Sequence, residues 1–304
     1  CDSLRSPATR KSQNMPRLFF PLITSLLFSG SYIGGKYTTV DVDPVTTTLC
    51  RYVIAAVFLA SLAPWLLRNE KLLPRSSWAA CALMGFFGIA GYNVLFFLSL
   101  RYTEVANTAI INATSPVVTG ILAALVLSER LTKLAYLGVG VTVIGVVTLL
   151  TDGTWVALRP STFNVGDGLM LAAVACWAVY AVLVRRIAST YSAYTVTFGA
   201  TVFGVVWLAM AWVWLGEPID LETMSLQSKI AIIYMGIFAS GVGYLTYNMS
   251  VVGVGATLTS GLVYGLVPVF VALLAWLTFG EQITVPMLTG TVMIVGGCWL
   301  ILRR

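Results

Sequence analysis

The sequence contains no histidine, and only 10% of its 304 residues are charged. The usual general base near neutral pH and the commonest nitrogen ligand for metals are therefore both missing. Five cysteines, Cys1, Cys50, Cys81, Cys176 and Cys298, show neither metal-ligand spacing nor a disulfide framework. The last four lie in apolar runs, where cysteine behaves as a small hydrophobe. Twelve acidic residues are present, and none falls in the middle of an apolar run. Intramembrane chemistry needs a nucleophile with a base, or clustered carboxylates near one face. With neither pattern visible, no cofactor or metal is expected, and an intramembrane enzyme is a distant alternative.

Apolar residues are what the chain has in excess. They make up 58% of it, with a mean hydropathy of +0.89. Soluble domains average about 45–50% apolar residues, so the surplus must face lipid. A membrane-crossing helix needs ~20 predominantly apolar residues. Ten such runs occur, near 18–39, 45–67, 77–99, 105–127, 134–151, 166–187, 193–215, 228–250, 256–279 and 285–302. The breaks carry turn chemistry, such as Asp41-Val42-Asp43-Pro44 and Gly216-Glu217-Pro218. The expected fold is an all-α polytopic membrane protein of ten transmembrane helices. Residues 1–17 are set aside as a polar cytoplasmic tail, and no signal peptide is expected.

Basic residues give the direction. With the N-terminus cytoplasmic, all of the 18 lysines and arginines fall inside except Lys36, Arg51, Arg101, Arg159 and Lys229. This is the positive-inside bias, and it places both termini in the cytoplasm. The net charge of +6 then reflects topology, not a nucleic-acid surface.

A shift of 152 residues superposes two segments. Pro116 falls on Pro268, Glu129 on Glu281, Thr132 on Thr284, Gly138 on Gly290 and Gly145 on Gly297. A slightly different shift aligns Met84-Gly85 with Met235-Gly236 and Ser99 with Ser250. The chain thus divides into five-helix repeats over 18–151 and 166–304, joined in one membrane domain. Five is odd, so the second repeat enters the membrane in the opposite sense. Inverted repeats of this kind are a signature of secondary transporters, whose substrate site lies near the midplane between the halves.

The segments "SLRYTEVANTAIINATSPVVTGILAALVLSERLT" and "GATLTSGLVYGLVPVFVALLAWLTFGEQIT" resemble the drug/metabolite transporter superfamily, and within it the EamA-type ten-helix exporters. "SGSYIGGKY", "RYVIAAVFL" and "WAVYAVLVRR" fit the same pattern, so the resemblance covers about 18–304. Among members, the chain resembles the YddG-type exporters of aromatic and other amino acids. The resemblance implies a cavity lined by helices 1, 3, 4, 6, 8 and 9, with helices 5 and 10 at the periphery. One departure is Ser29, where these exporters often carry tryptophan; helix 6 keeps Trp177.

"GSYIGGKY" at 30–37 nearly spells a phosphate-binding loop, but Tyr37 replaces the required hydroxyl residue and no strand precedes it. Gly30–Gly34 and Gly261–Gly265 read as close helix-packing spacings. Lys36 and Arg51 are the deepest charges. Each lies one or two turns from the outer face, and snorkelling or structural pairing is the preferred reading over a receptor for a substrate carboxylate. The candidate substrate-binding residues are polar and aromatic: Tyr32, Tyr92, Asn93, Asn112, Trp177, Tyr180, Tyr244, Asn248 and Tyr264. Bonding between helices uses the same chemistry and is the competing role for each. Pro116 and Pro268 are read as matched mid-helix kinks with a part in gating. Glu129, Thr132, Glu281 and Thr284 are read as matched hairpin corners, the threonines capping the helices that follow.

The resulting expectation is a bacterial-type inner-membrane exporter of small metabolites, amino acids first, working by alternating access without an evident proton relay. Export of another neutral or cationic compound, such as a drug or nucleobase, is the alternative. The partners expected are a small-molecule substrate and the lipid bilayer, with no nucleic acid. Both a monomer and a homodimer are compatible with the sequence.

Overall fold

The computed structural model describes residues 19–66, 74–102, 108, 111–112, 114–127, 132–150, 165–187, 190–218, 222, 224–279 and 285–302. Among them all regular structure is helical. The helices are α1 (Phe19–Asp41), α2 (Pro44–Leu66), α3 (Trp78–Tyr102), α4 (Ser115–Leu127), α5 (Lys133–Leu150), α6 (Val165–Ile187), α7 (Ala193–Leu215), α8 (Leu226–Val254), α9 (Ala256–Phe279) and α10 (Val285–Leu302). They fall within or beside the ten apolar runs.

Six of them, α2, α3, α6, α7, α8 and α9, are long and apolar enough to cross a membrane. Ser115–Leu127, Lys133–Gly145 and Leu288–Gly297 are shorter apolar stretches in α4, α5 and α10. At 23 residues α1 matches the longer helices in length but is more polar. Its Thr24, Ser25, Ser29, Ser31 and Thr38 are all buried. These hydroxyls lie on the side of α1 that meets protein, while Phe19, Leu22 and Leu26 leave an apolar face exposed.

The helix contacts come in matched pairs: α1 packs on α8 as α6 packs on α3, α2 on α8 as α7 on α3, and α1 on α9 as α6 on α4. The pairs α5–α10, α4–α9 and α2–α7 map onto themselves. This is the pattern of two repeats related by a pseudo-twofold axis. The protein is an all-helical polytopic membrane protein built from two repeats.

The repeated glycines have a reciprocal job. A Cβ on Gly145 would lie 2.9 Å from the Gly290 carbonyl oxygen of α10. A Cβ on Gly297 would lie 2.7 Å from the Gly138 carbonyl oxygen of α5. The two peripheral helices therefore touch backbone to backbone, the small-residue packing that membrane helices use where no hydrophobic force draws them together.

Serines join α1 to α9. Ser25 and Ser29 donate to the Val263 and Val267 carbonyls at 3.2 and 3.1 Å, and also to their own helix at Pro21 and Ser25. Ser29 is thus a helix-joining hydroxyl. Asp43 caps α2: its carboxylate accepts from the backbone N–H groups of Val45 and Thr46, and from that of Glu217. Acid at a helix start satisfies donors that the helix itself leaves open.

Two π-helical segments interrupt α3 and α8, over Gly85–Gly91 and Met235–Gly243. They begin at the Met84-Gly85 and Met235-Gly236 positions that the repeat equates. Their glycines allow close approach: a Cβ on Gly85 would meet the Gly204 backbone nitrogen of α7 at 2.5 Å, and one on Gly236 the Arg51 carbonyl oxygen of α2 at 2.9 Å. Single π turns inside α-helices concentrate at functional sites.

The prolines are not equivalent, contrary to expectation. Pro268 lies inside α9. Pro116 is the second residue of α4, just after a turn in which the Thr114 N–H bonds the Ile111 carbonyl at 3.0 Å. A missing N–H costs nothing in a first helical turn, so Pro116 starts a helix, whereas Pro268 removes a donor within one that runs on unbroken. Thr132 precedes α5, and its hydroxyl accepts from the Ala135 N–H at 3.2 Å. Glu129, Glu281 and Thr284 lie outside the described residues.

Candidate functional site

Near the helix middles the two halves enclose a cavity of about 30 Å3, lined by Phe28, Ser31, Tyr32, Arg51, Tyr92, Asn93, Phe96, Trp177, Tyr244 and Tyr264. A space of this size holds one or two waters and no metabolite. The lining rings fill most of the space.

Trp177 of α6 is the hub. Its ring centroid lies 4.8 Å from those of Tyr92 and Tyr247, 5.2 Å from Tyr180, 5.4 Å from Tyr244, 5.8 Å from Tyr264 and 5.9 Å from Phe28. Most of these contacts are edge-on or tilted, the arrangement ring quadrupoles prefer. Its indole N–H donates to the Tyr247 hydroxyl at 3.1 Å, which also bonds Ser260 at 3.1 Å.

The asparagines knit the helices around this hub. The Asn93 amide of α3 shares its two N–H groups among the hydroxyls of Tyr52 in α2 and Tyr244 in α8, both at 3.0 Å, and the Ile89 and Gly88 carbonyls at 2.9 and 3.3 Å. Tyr244 donates to the Gly88 carbonyl at 2.8 Å. These side chains supply donors to carbonyls of the π segment. Asn112 donates to Tyr32 at 2.7 Å and accepts from Ser115 at 3.0 Å. Asn248 of α8 accepts from and donates to Tyr180 at 3.0 and 2.9 Å, and bonds Thr197 of α7 at 2.8 Å.

Six of the nine candidates read from the sequence, Tyr32, Tyr92, Asn93, Trp177, Tyr244 and Tyr264, line the cavity itself. Asn112 stands behind Tyr32. Tyr180 and Asn248 form an interhelical pair beside Trp177, and neither lines the cavity. Among the residues not anticipated, Phe28, Phe96 and Ser31 line it and Tyr52 supports it; their types alone do not separate them from packing residues elsewhere in the spans.

For Arg51 the structure separates the two expected roles: it pairs inside the protein, with Ser240. It is only 3% exposed and lines the cavity, so it does not snorkel. Its Nε–H donates to Ser240 at 2.8 Å, and its guanidinium lies 5.4 and 5.7 Å from the Tyr52 and Phe97 ring centroids. Lys36, by contrast, is exposed.

The sequence model described as the EamA-like transporter family matches the chain twice, over residues 15–151 and 164–303. A relative named "Uncharacterized transporter YyaM", from Bacillus subtilis (strain 168), is 29% identical over 281 residues, covering 92% of each chain. An "Uncharacterized transporter" of Clostridium kluyveri is 26% identical, covering 91% of this chain and 90% of its own. "Protein PagO" of Salmonella typhimurium is 25% identical over 74% of this chain and 73% of its own. A solved crystal structure shares the fold with a TM-score of 0.75 at 20% identity, over 93% of this chain and 95% of that one.

Proposed function

The chain belongs to the EamA-like transporter family, and we propose that it exports small metabolites, amino acids first and aromatic ones among them, by alternating access between its two repeats. The observation that carries this reading is the cavity between the halves, walled by rings from α1, α3, α6, α8 and α9, the Asn93 amide of α3 and the Arg51 guanidinium of α2. A site at the repeat interface near the midplane is where inverted-repeat transporters hold their cargo. Its aromatic walls suit a bulky side chain.

Exchange begins when one repeat rocks against the other and the rings around Trp177 part toward one face. Closure over the cargo and opening to the other face complete the cycle. The matched π segments place a locally loosened helix on each side of the site, which supports movement there. Among the described residues no acid lines the cavity, so the cycle is proposed to run without an obligatory proton. Counterflow of labelled amino acids into liposomes, with and without a proton gradient, tests this. Equal rates are expected, and a strict need for the gradient would overturn the uncoupled mechanism.

A further inference from the structure

We propose that Arg51 receives a carboxylate of the transported molecule, with the hydroxyls of Ser31 and Tyr264 completing the receptor, and that the site reads no positive charge. The inference rests on the transport reading above and adds the substrate class: metabolites bearing a carboxylate, whether or not they carry an ammonium group.

Arg51 is a permanent cation seven residues into α2, about 10 Å along its axis. Burying such a charge near the bilayer interior is costly, and such residues are characteristically paired or functional. Its contacts are the Ser240 hydroxyl, the Met235 sulfur at 3.8 Å and the faces of two rings. No carboxylate pairs with it among the described residues. The nearby buried acid Asp43 is committed to the α2 N-terminus and the Glu217 N–H. A guanidinium has five N–H donors in a fork that matches a carboxylate, and the described contacts use two.

Two further hydroxyls at the same cavity are buried and incompletely bonded. Ser31 of α1 has no hydrogen bond, and Tyr264 of α9 has only the Tyr92 hydroxyl beside it to donate to. Buried polar groups are normally paired, and exceptions call for an explanation. The only other such side-chain atom among the described residues is Thr201 Oγ1, and Thr201 is not among those lining the cavity. Unmet donors on Arg51 and Ser31, with the Tyr264 hydroxyl free to turn from Tyr92, surround one void and fit a ligand with several acceptor positions. A carboxylate offers about four on two oxygens. An ammonium would meet the field of Arg51 with no acid to offset it.

The test uses the full chain purified in detergent and follows quenching of its tryptophan fluorescence. The probes form two triads: phenylalanine, 3-phenylpropanoate and 2-phenylethylamine; leucine, 4-methylpentanoate and isopentylamine. Within at least one triad the acid and the amino acid are expected to quench saturably, and the amine to bind at least about tenfold more weakly. Arg51→Gln should remove binding of the acids. In case that variant folds poorly, Ser31→Ala and Tyr264→Phe serve as second probes, since the first removes a hydroxyl that has no partner and the second removes one whose neighbour is Tyr92. Ser31→Ala should keep or raise thermal stability, Tyr264→Phe should lower it by no more than one hydrogen bond, and both should weaken acid binding about threefold or more. A purely structural role would leave binding unmoved. Amines binding as well as acids, no binding by any acid, or unchanged acid binding in the two hydroxyl variants would each overturn the proposal. Acid binding that survives all of this beside absent counterflow would instead refute the transport reading and leave the receptor standing.

Discussion

Arg51 in α2 donates its Nε–H to the hydroxyl of Ser240 in α8 at 2.8 Å, across 189 positions of sequence. Ser240 sits inside the π segment Met235–Gly243. The second helix of one repeat therefore holds the loosened turn of the third helix of the other, at the wall of the central cavity. Ser240→Ala leaves a charged donor buried without its acceptor. A loss of about 1–3 kcal/mol is expected, read as a lower unfolding midpoint in detergent.

Trp177→Phe keeps a ring in the hub but removes the N–H that bonds Tyr247. Tyr247 retains Ser260, so the expected cost is modest, about 1 kcal/mol. Trp177→Ala removes the hub itself and should cost about 3–5 kcal/mol. Thermal unfolding of the two variants side by side checks the difference, and equal losses would mean that the aromatic cluster does not hold the halves together.

Gly88 stands where the π segment of α3 meets α6. A Cβ there would lie 2.2 Å from the Tyr180 ring, and the neighbouring Asn93 and Tyr244 bonds end on the Gly88 carbonyl. Gly88→Ala is expected to displace Tyr180 and destabilise by about 1–3 kcal/mol, the usual cost of overpacking. Gly168→Ala, where a Cβ meets nothing within 4 Å, is the control and should leave stability unchanged or slightly raised.

Gly145 and Gly297 join α5 to α10 at the periphery. Neither helix contributes a residue to the cavity lining. Gly145→Val and Gly297→Val should lower stability while leaving the affinity of the remaining folded protein for its substrate intact. Fluorescence-detected size exclusion and ligand quenching on the same samples separate the two effects.

Much of this was legible in the sequence. Apolar run length places the helices, and the shared glycines reveal the repeat, while the α5–α10 contact they make emerges only from the structure. Mid-span tyrosines and asparagines point to the cavity because hydrocarbon tolerates them only with partners. Arg51 was not legible. A basic residue two turns from a helix end looks the same whether it reaches outward or turns inward, and its decisive neighbours, Met235 and Ser240, lie far along the chain. Pro116 misled because the repeat equates it with Pro268, whereas the Thr114 turn ends the correspondence of backbone. The π segments carry no pattern beyond glycines that also serve packing.

The proline difference yields its own expectation. Pro268→Ala restores an N–H inside α9 and stiffens it, and should slow exchange several-fold, roughly, if α9 bends during the cycle. Pro116→Ala, in a first turn, should leave the rate unchanged. Similar rates for both variants and the parent chain would remove the prolines from the mechanism.

The most direct test of the account is counterflow. Liposomes containing the purified chain are loaded with unlabelled phenylalanine or leucine and diluted into the labelled amino acid. The account predicts a transient accumulation of label above that in protein-free liposomes, abolished by excess outside substrate and by Arg51→Gln. Uptake no greater than in protein-free liposomes, for every amino acid tried, would contradict it.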